Sequence, residues 1–116
     1  MNHKYLLTGL IALVFAFSTS SCGKINLLSL EDEKQLGLQS KAQIESDPAQ
    51  FPVVPRAQAP AAYQYLETMK TNILNSGQVK YVNDFAWELY IIKDDNTLNA
   101  FCTPGGYIYV YTGLIR

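Results

Sequence analysis

The sequence predicts an α+β fold, in which two helices precede a three-stranded, mainly antiparallel sheet. Between residues 30 and 77, apolar residues recur at helical spacing in two separate segments. Near the end, three short apolar segments are separated by turn residues, and the last of them alternates strictly. With 116 residues, the chain forms one domain at most.

Residues 1–21 read as a leader segment rather than as part of that domain. A short basic start, Met1–Lys4, is followed by an apolar run from Tyr5 to Phe17 and then by small residues. These three regions predict a secretory signal peptide, and the apolar run is short for a membrane span. An uncleaved membrane anchor remains the alternative, because extending the run into the serines approaches spanning length.

Cys22 stands directly after the small residues and resembles the acceptor cysteine of bacterial lipoproteins. The signal would be cut before Cys22, and several acyl chains would then hold the protein on a membrane facing the periplasm or the exterior. Thr19 departs from the leucine usual at its position, so an ordinary signal peptide with a free cysteine is the alternative. We expect Cys22 to be the lipidation site, residues 22–28 a tether and residues 29–116 the domain.

The two helices have recognisable starts. Ser29 is suited to an N-cap, with acidic residues in the first turn of a helix that runs from about Leu30 to Glu45. The proline-rich segment 46–60 predicts an ordered loop, because its apolar residues would have no use in a free linker. Pro60 is suited to the first turn of the second helix, and Gly77 to its stop.

Three strands follow. The segment Phe85–Lys93 alternates, which would place Phe85, Trp87, Leu89 and Ile91 on one face. Leu98–Phe101 predicts a second strand, residues 103–106 a turn, and Tyr107–Thr112 a third strand. The tyrosines of the third strand share one face and are typical of a half-exposed strand. Cross-strand packing explains them better than carbohydrate binding does.

The end of the chain carries an ordered motif: Asn99, Ala100 and Phe101, then Pro104, Gly105 and Gly106, then the alternating strand, then Thr112-Gly-Leu114. This string resembles the segment before the catalytic helix in zinc metalloendopeptidases of the HtpX and CAAX-prenyl-protease kind. The pattern Glu33-x-x-Leu36-Gly37 also resembles the first helix of secreted members. Cys102 stands where a small apolar residue is expected, and we predict that it is a small buried hydrophobe.

The resemblance implies an incomplete gluzincin-type domain. In that family the strand after Pro-Gly-Gly lies along the active-site cleft, and its exposed edge pairs with extended or unfolded polypeptide. By resemblance this role falls to Gly106, Tyr107, Ile108, Tyr109, Val110 and Tyr111. Zinc is held by two histidines four residues apart on one helix, with a glutamate that activates water, and by a later acidic ligand. None of these positions is present and the sole histidine is His3, so we expect no catalytic or metal-binding residue and no activity from these 116 residues alone.

Charge restricts the partners. From Cys22 onward there are eight basic and ten acidic residues, a net charge of about −2 without a basic cluster, which argues against nucleic acid. Taken with the predicted signal peptide and lipidation site, the resemblance implies the N-terminal part of an exported, lipid-anchored zinc metalloendopeptidase acting on envelope proteins. The alternative is a short, non-enzymatic envelope lipoprotein that binds an extended partner by strand addition.

Overall fold

The computed structural model describes residues 27–115. Its elements are helix α1 (Leu30–Glu45), a 3-10 turn (Arg56–Gln58), helix α2 (Pro60–Leu74), strands β1 (Leu89–Ile92), β2 (Ala100–Thr103) and β3 (Tyr107–Tyr111), and the short helix α3 (Thr112–Ile115). The predicted α+β class is confirmed. The proposed signal peptide, Cys22 and most of the tether lie outside the described residues. Within residues 27–115, no helix has the length and apolar character needed to cross a membrane.

Both long helices have the predicted boundaries. The Asp32 N–H donates to the Ser29 hydroxyl at 3.1 Å, and the Ser29 N–H donates to the Asp32 carboxylate at 3.1 Å. This reciprocal cap satisfies backbone donors that the first turn leaves unpaired, and the hydrogen bonds from Ser29 lower the pKa of Asp32. Helix α2 begins at Pro60, and Gly77 follows its end in a left-handed conformation with φ of 76°.

The sheet is mixed, which corrects the expectation of a mainly antiparallel one. Strand order is β1-β3-β2, with β1 parallel to β3 and β2 antiparallel to β3. The turn at residues 104–106 pairs β2 with β3. Strand β3 therefore lies between β1 and β2, although β2 follows β1 in the sequence. Three of the four residues of β1 are buried, as expected of a parallel strand that is covered on both faces.

The prediction of a strand over Phe85–Lys93 is wrong for the first half of that segment. Only Leu89–Ile92 is extended within the sheet, because Trp87 has a positive φ of 48° that interrupts the strand. The Trp87 indole N–H donates to the Tyr81 carbonyl oxygen at 3.2 Å, and its ring packs beside Phe85. Phe85 and Trp87 therefore do not continue the apolar face that Leu89 and Ile91 share.

Each face of the sheet is covered by one helix. On the α2 face, helix and strand side chains form one core cluster: Tyr63, Leu66, Leu89, Ile91 and Val110. On the α1 face, a second cluster consists of Ile44, Ile92, Tyr107 and Tyr109. The Tyr109 ring stacks against Phe101 and Tyr90 at centroid distances of 4.9 and 5.4 Å, which confirms cross-strand packing. With Tyr107 and Tyr109 only 5% and 1% exposed, the expectation of a half-exposed tyrosine face is wrong.

Candidate functional site

The Pro104-Gly105-Gly106 turn is seated directly on helix α1. A Cβ added to Gly37 would lie 2.2 Å from the Pro104 carbonyl oxygen and 3.0 Å from Cε2 of Tyr107. Gly105 and Gly106 have positive φ values of 79° and 84°, a conformation that favours glycine. The two segments that carry the family resemblance, around Gly37 and at residues 104–106, are thus in contact with each other.

Strand β3 has no free edge, which corrects the assignment of the substrate strand to Gly106–Tyr111. The residues of β3 pair with β1 on one side and with β2 on the other. A central strand uses its backbone donors and acceptors on both sides, so it cannot pair with an added chain. The strand of this hairpin that the resemblance selected is therefore paired on both sides.

The outer edge of β1 is covered by the loop that precedes α2. The Val54 N–H donates to the Ile91 carbonyl oxygen at 2.8 Å, and the Lys93 N–H donates to the Pro52 carbonyl oxygen at 2.8 Å. The Tyr63 hydroxyl accepts from the Ile91 N–H at 3.1 Å. These contacts confirm the ordered loop and leave β1 without a free edge.

The outer edge of β2 is open. In residues 27–115, no strand pairs with this side of β2. The Tyr111 N–H donates to the Asn99 carbonyl oxygen at 3.1 Å. By the alternation of an antiparallel pair, Phe101 and Thr103 therefore bond β3, while the backbone groups of Ala100 and Cys102 point outward.

The side chain of Asn99 occupies one position on this edge. Its Oδ1 accepts from the Ala100 N–H at 2.8 Å. The outward groups that remain are the Cys102 N–H and the carbonyls of Ala100 and Cys102. They can donate one and accept two hydrogen bonds from an extended chain, and β2 itself contains no charged residue.

Cys102 is exposed with a free thiol, so the expectation of a buried cysteine is wrong. The cause is its place on the open edge strand, where its side chain lies on the side that α2 covers only partly. Partial burial raises the pKa of the Cys102 thiol. A raised pKa reduces the thiolate fraction, so Cys102 is unsuited to act as a nucleophile.

The Thr112-Gly113 part of the motif fixes the start of α3. The Thr112 hydroxyl donates to an Asp95 carboxylate oxygen at 2.7 Å and accepts from the Asp94 N–H at 2.9 Å. A Cβ on Gly113 would lie 2.4 Å from the Thr97 carbonyl oxygen, so only glycine fits this close approach. These residues hold the exit of β3 against the turn that leads into β2.

An ion pair that the sequence did not reveal joins α1 to the entry of β1. Lys41 Nζ lies 2.9 Å from a Glu88 carboxylate oxygen, which also accepts from the Tyr90 hydroxyl. The hydrogen bonds from Tyr90 and then Lys41 lower the pKa of Glu88, and those to Tyr90 and Glu88 raise the pKa of Lys41. Lys41 and Glu88 are 47 positions apart, so no local sequence signal pairs them.

The described residues do not fit a zinc ion. Between residues 27 and 115, no three histidine, cysteine, aspartate or glutamate side chains are close enough together to hold a metal. The single histidine, His3, lies outside this range. A catalytic zinc site needs three protein ligands, so no step of bond cleavage can be assigned to this segment.

Comparison with known proteins identifies a family that this chain matches. The model of the family described as Peptidase family M48 matches residues 40–116, more than half of the chain. The match includes α2, all three strands and α3, and therefore the open edge of β2. No curated protein matches the chain.

Proposed function

Since the chain belongs to peptidase family M48, we propose that it is the N-terminal portion of an exported zinc metalloendopeptidase that cleaves envelope proteins. The observation that carries the proposal is the match of residues 40–116 to that family, a segment that includes the open edge of β2. The order of Asn99-Ala-Phe, Pro104-Gly-Gly and Thr112-Gly-Leu supports the HtpX and CAAX-prenyl-protease subtype.

The part of the reaction that we assign to this segment is substrate binding. An extended or unfolded polypeptide pairs with β2 through the outward backbone groups of Ala100 and Cys102. Such main-chain hydrogen bonds hold a peptide in one orientation largely independently of its sequence, as required to act on many unfolded proteins. The seat of the Pro104 turn on Gly37 keeps β2 at a fixed distance from α1.

Bond cleavage belongs to residues outside the described segment. In a complete enzyme, zinc would supply a Lewis acid and an activated water. Because residues 27–115 offer no fitting ligand set, we expect no peptidase activity from the 116 residues by themselves. Proteolysis of an unfolded substrate by the purified chain, abolished by a chelator, would contradict this assignment.

We further propose that Cys22 anchors the protein in the cell envelope. The support is the order of basic, apolar and small residues before Cys22. Metabolic palmitate labelling of the wild type, of Cys22→Ala and of Cys102→Ala tests it, the last variant being the matched control. We expect Cys22→Ala alone to lose the label; equal labelling of all three would remove Cys22 as the acceptor.

The genomic DNA beyond the codon for Arg116 distinguishes the peptidase from the short lipoprotein that binds a partner by strand addition. We expect an in-frame His-Glu-x-x-His codon series within some tens of codons. A stop codon followed by unrelated sequence would refute the peptidase proposal and favour the short protein. Both proposals use the same β2 edge.

A further inference from the structure

We propose that Trp87 is a two-state conformational switch. In the present state its ring lies against the turn at residues 104–106, and in a second state it moves into an apolar cavity between α2 and the sheet. The backbone of Trp87 is extended in the second state, so that β1 begins earlier in the chain. The switch thereby fastens or frees the turn that joins β2 to β3.

The backbone of Trp87 has a conformation that its residue type disfavours. Its φ of 48° lies in the left-handed region, which a residue with a Cβ occupies at a disadvantage of about 5- to 30-fold. The alternation of apolar residues from Phe85 to Ile91 favours an extended backbone at the same position. The sequence pattern therefore favours a conformation of Trp87 other than the one in the structure.

The sheet register fixes where the ring of an extended Trp87 would lie. Leu89 is paired with Ile108 in the parallel ladder. Continued two residues towards the N-terminus, the same register would place Trp87 opposite Gly106. Residues two apart in a strand point to the same face, and Leu89 and Ile91 belong to the core cluster on the α2 face. An extended Trp87 would therefore direct its ring towards α2.

On that face the structure has a cavity of about 170 Å³ beside Trp87. Its wall combines Leu66 of α2 with Leu89 and Val110 of the sheet, and no residue beyond Val110 lines it. Lys70 is the only charged residue of the wall. An indole ring gains free energy on leaving water for such a surface, so the cavity can receive the ring of Trp87.

Three hydrogen bonds hold the present state. The Lys70 ammonium donates to the Trp87 carbonyl oxygen at 2.7 Å, the Trp87 indole N–H to the Tyr81 carbonyl oxygen at 3.2 Å, and the Ala86 N–H to the Gly105 carbonyl oxygen at 3.0 Å. The Lys70 bond is charge-assisted and is therefore the strongest of the three. A change of φ at Trp87 moves its carbonyl relative to α2, so Lys70 acts as the latch of the left-handed state.

The second state releases a contact with the turn. A Cβ added to Gly106 would lie 3.1 Å from Cβ of Phe85 and 3.1 Å from Cδ2 of Trp87, so both side chains border the turn. When the Trp87 ring leaves, the turn keeps its seat on Gly37 but loses this support. A ligand that requires a displaced turn would therefore favour the second state.

Trp87 is the single tryptophan of the chain, so its fluorescence reports the switch. In the purified chain we expect Lys70→Met to move the emission maximum to shorter wavelength, because the ring enters apolar surroundings. Amide exchange of Ala86 should become about tenfold faster or more, because the latch is lost. The matched control is Lys80→Met, which removes an exposed lysine between α2 and β1 and should change neither quantity.

A second variant tests the cavity itself. Val79 lines the cavity, so Val79→Phe would fill the space that the ring needs. In an otherwise unchanged chain, Val79→Phe should slow the exchange of the Ala86 amide. Combined with Lys70→Met, it should suppress the shift of the emission maximum.

Several results would overturn the switch. An emission maximum that stays in place or moves to longer wavelength in Lys70→Met would mean that the ring remains at the turn or enters water. A shift that Lys80→Met shares, or that persists when Val79→Phe is added, would mean that the cavity is not its destination. If Lys70→Met does not fold, Val79→Phe decides alone: slower exchange of Ala86 supports the switch, and unchanged or faster exchange refutes it.

Discussion

Replacing Gly37 by alanine has two opposite effects on the free energy of unfolding, one from helix propensity and one from tertiary packing. In the interior of a helix, alanine is favoured over glycine by about 1 kcal/mol. In this structure, however, the new Cβ would lie 2.2 Å from the Pro104 carbonyl oxygen and 2.9 Å from its carbonyl carbon. Both are backbone atoms of a turn with positive φ at Gly105 and Gly106, so they cannot move as the end of a side chain could.

The expected net effect is destabilisation. Overpacking of a fitted contact costs about 1–3 kcal/mol and occasionally more. A clash with backbone belongs at the upper end of that range. Subtracting the propensity gain of about 1 kcal/mol leaves a loss of about 1–2 kcal/mol in the free energy of unfolding. For a domain of this size, each kcal/mol lowers Tm by about 4–8 °C.

Thermal and urea unfolding followed by circular dichroism measure this loss. Gln39→Gly, at an exposed position of the same helix, is the control for propensity alone and should cost at most about 1 kcal/mol. A Gly37→Ala protein that is as stable as the wild type, or more stable by the propensity gain, would refute the packing of α1 against the turn.

Three further predictions concern polar groups. Tyr63→Phe should lower the free energy of unfolding by about 1–3 kcal/mol, because the hydroxyl donates to one loop carbonyl at 2.6 Å and accepts from one strand amide at 3.1 Å. Tyr109→Phe should leave stability unchanged or raise it by about 1 kcal/mol in urea unfolding, since the buried hydroxyl has no hydrogen-bond partner in the described segment. Hydrogen bonds from Tyr90 and Lys41 hold the pKa of Glu88 below its ordinary value of 4.5. The ionised Glu88 therefore stabilises the folded protein fully above pH 4.5, and this contribution is lost as the pH falls through the lowered pKa. Glu88→Gln should therefore reduce the loss of stability between pH 6 and pH 3.

Each of these three predictions would be contradicted by a specific result. Unchanged unfolding of Tyr63→Phe would mean that the loop is not held on β1 by this hydroxyl. A loss of more than about 1 kcal/mol in Tyr109→Phe would reveal a partner of its hydroxyl. An identical acid profile for Glu88→Gln and the wild type would exclude the Lys41–Glu88 pair as a source of pH dependence.

The helices could be predicted from the sequence because their signals are local. Ser29 and Asp32 cap α1 within one turn, and Pro60 needs only its own ring geometry to begin α2. The strand predicted for Phe85–Lys93 shows that alternation of apolar residues does not by itself fix where a strand begins. Its alternation continues through Trp87, but the backbone of Trp87 is left-handed, and Phe85 and Trp87 pack against Gly106, which lies much later in the chain.

The location of the open edge could not be predicted for a similar reason. Which strand is central depends on the parallel pairing of β1 with β3, and no local turn encodes that pairing. The edge of β1 is closed by Tyr63 and by the loop at Val54, both of which are far from β1 in the sequence. The resemblance identified the hairpin from its residues, while the long-range contacts decided that β2 rather than β3 is available and that Cys102 is exposed.

The most direct test of the account is amide hydrogen exchange of this chain with and without a saturating extended peptide. If β2 receives the polypeptide, the Cys102 amide should become strongly protected, while the amide of Tyr109 in the central strand should keep its protection unchanged. A peptide N-methylated at alternate residues should lose the effect, because it cannot donate to the β2 carbonyls. Saturable binding that leaves Cys102 unprotected, or that protects amides at the edge of β1, would contradict the assignment of β2 as the binding edge.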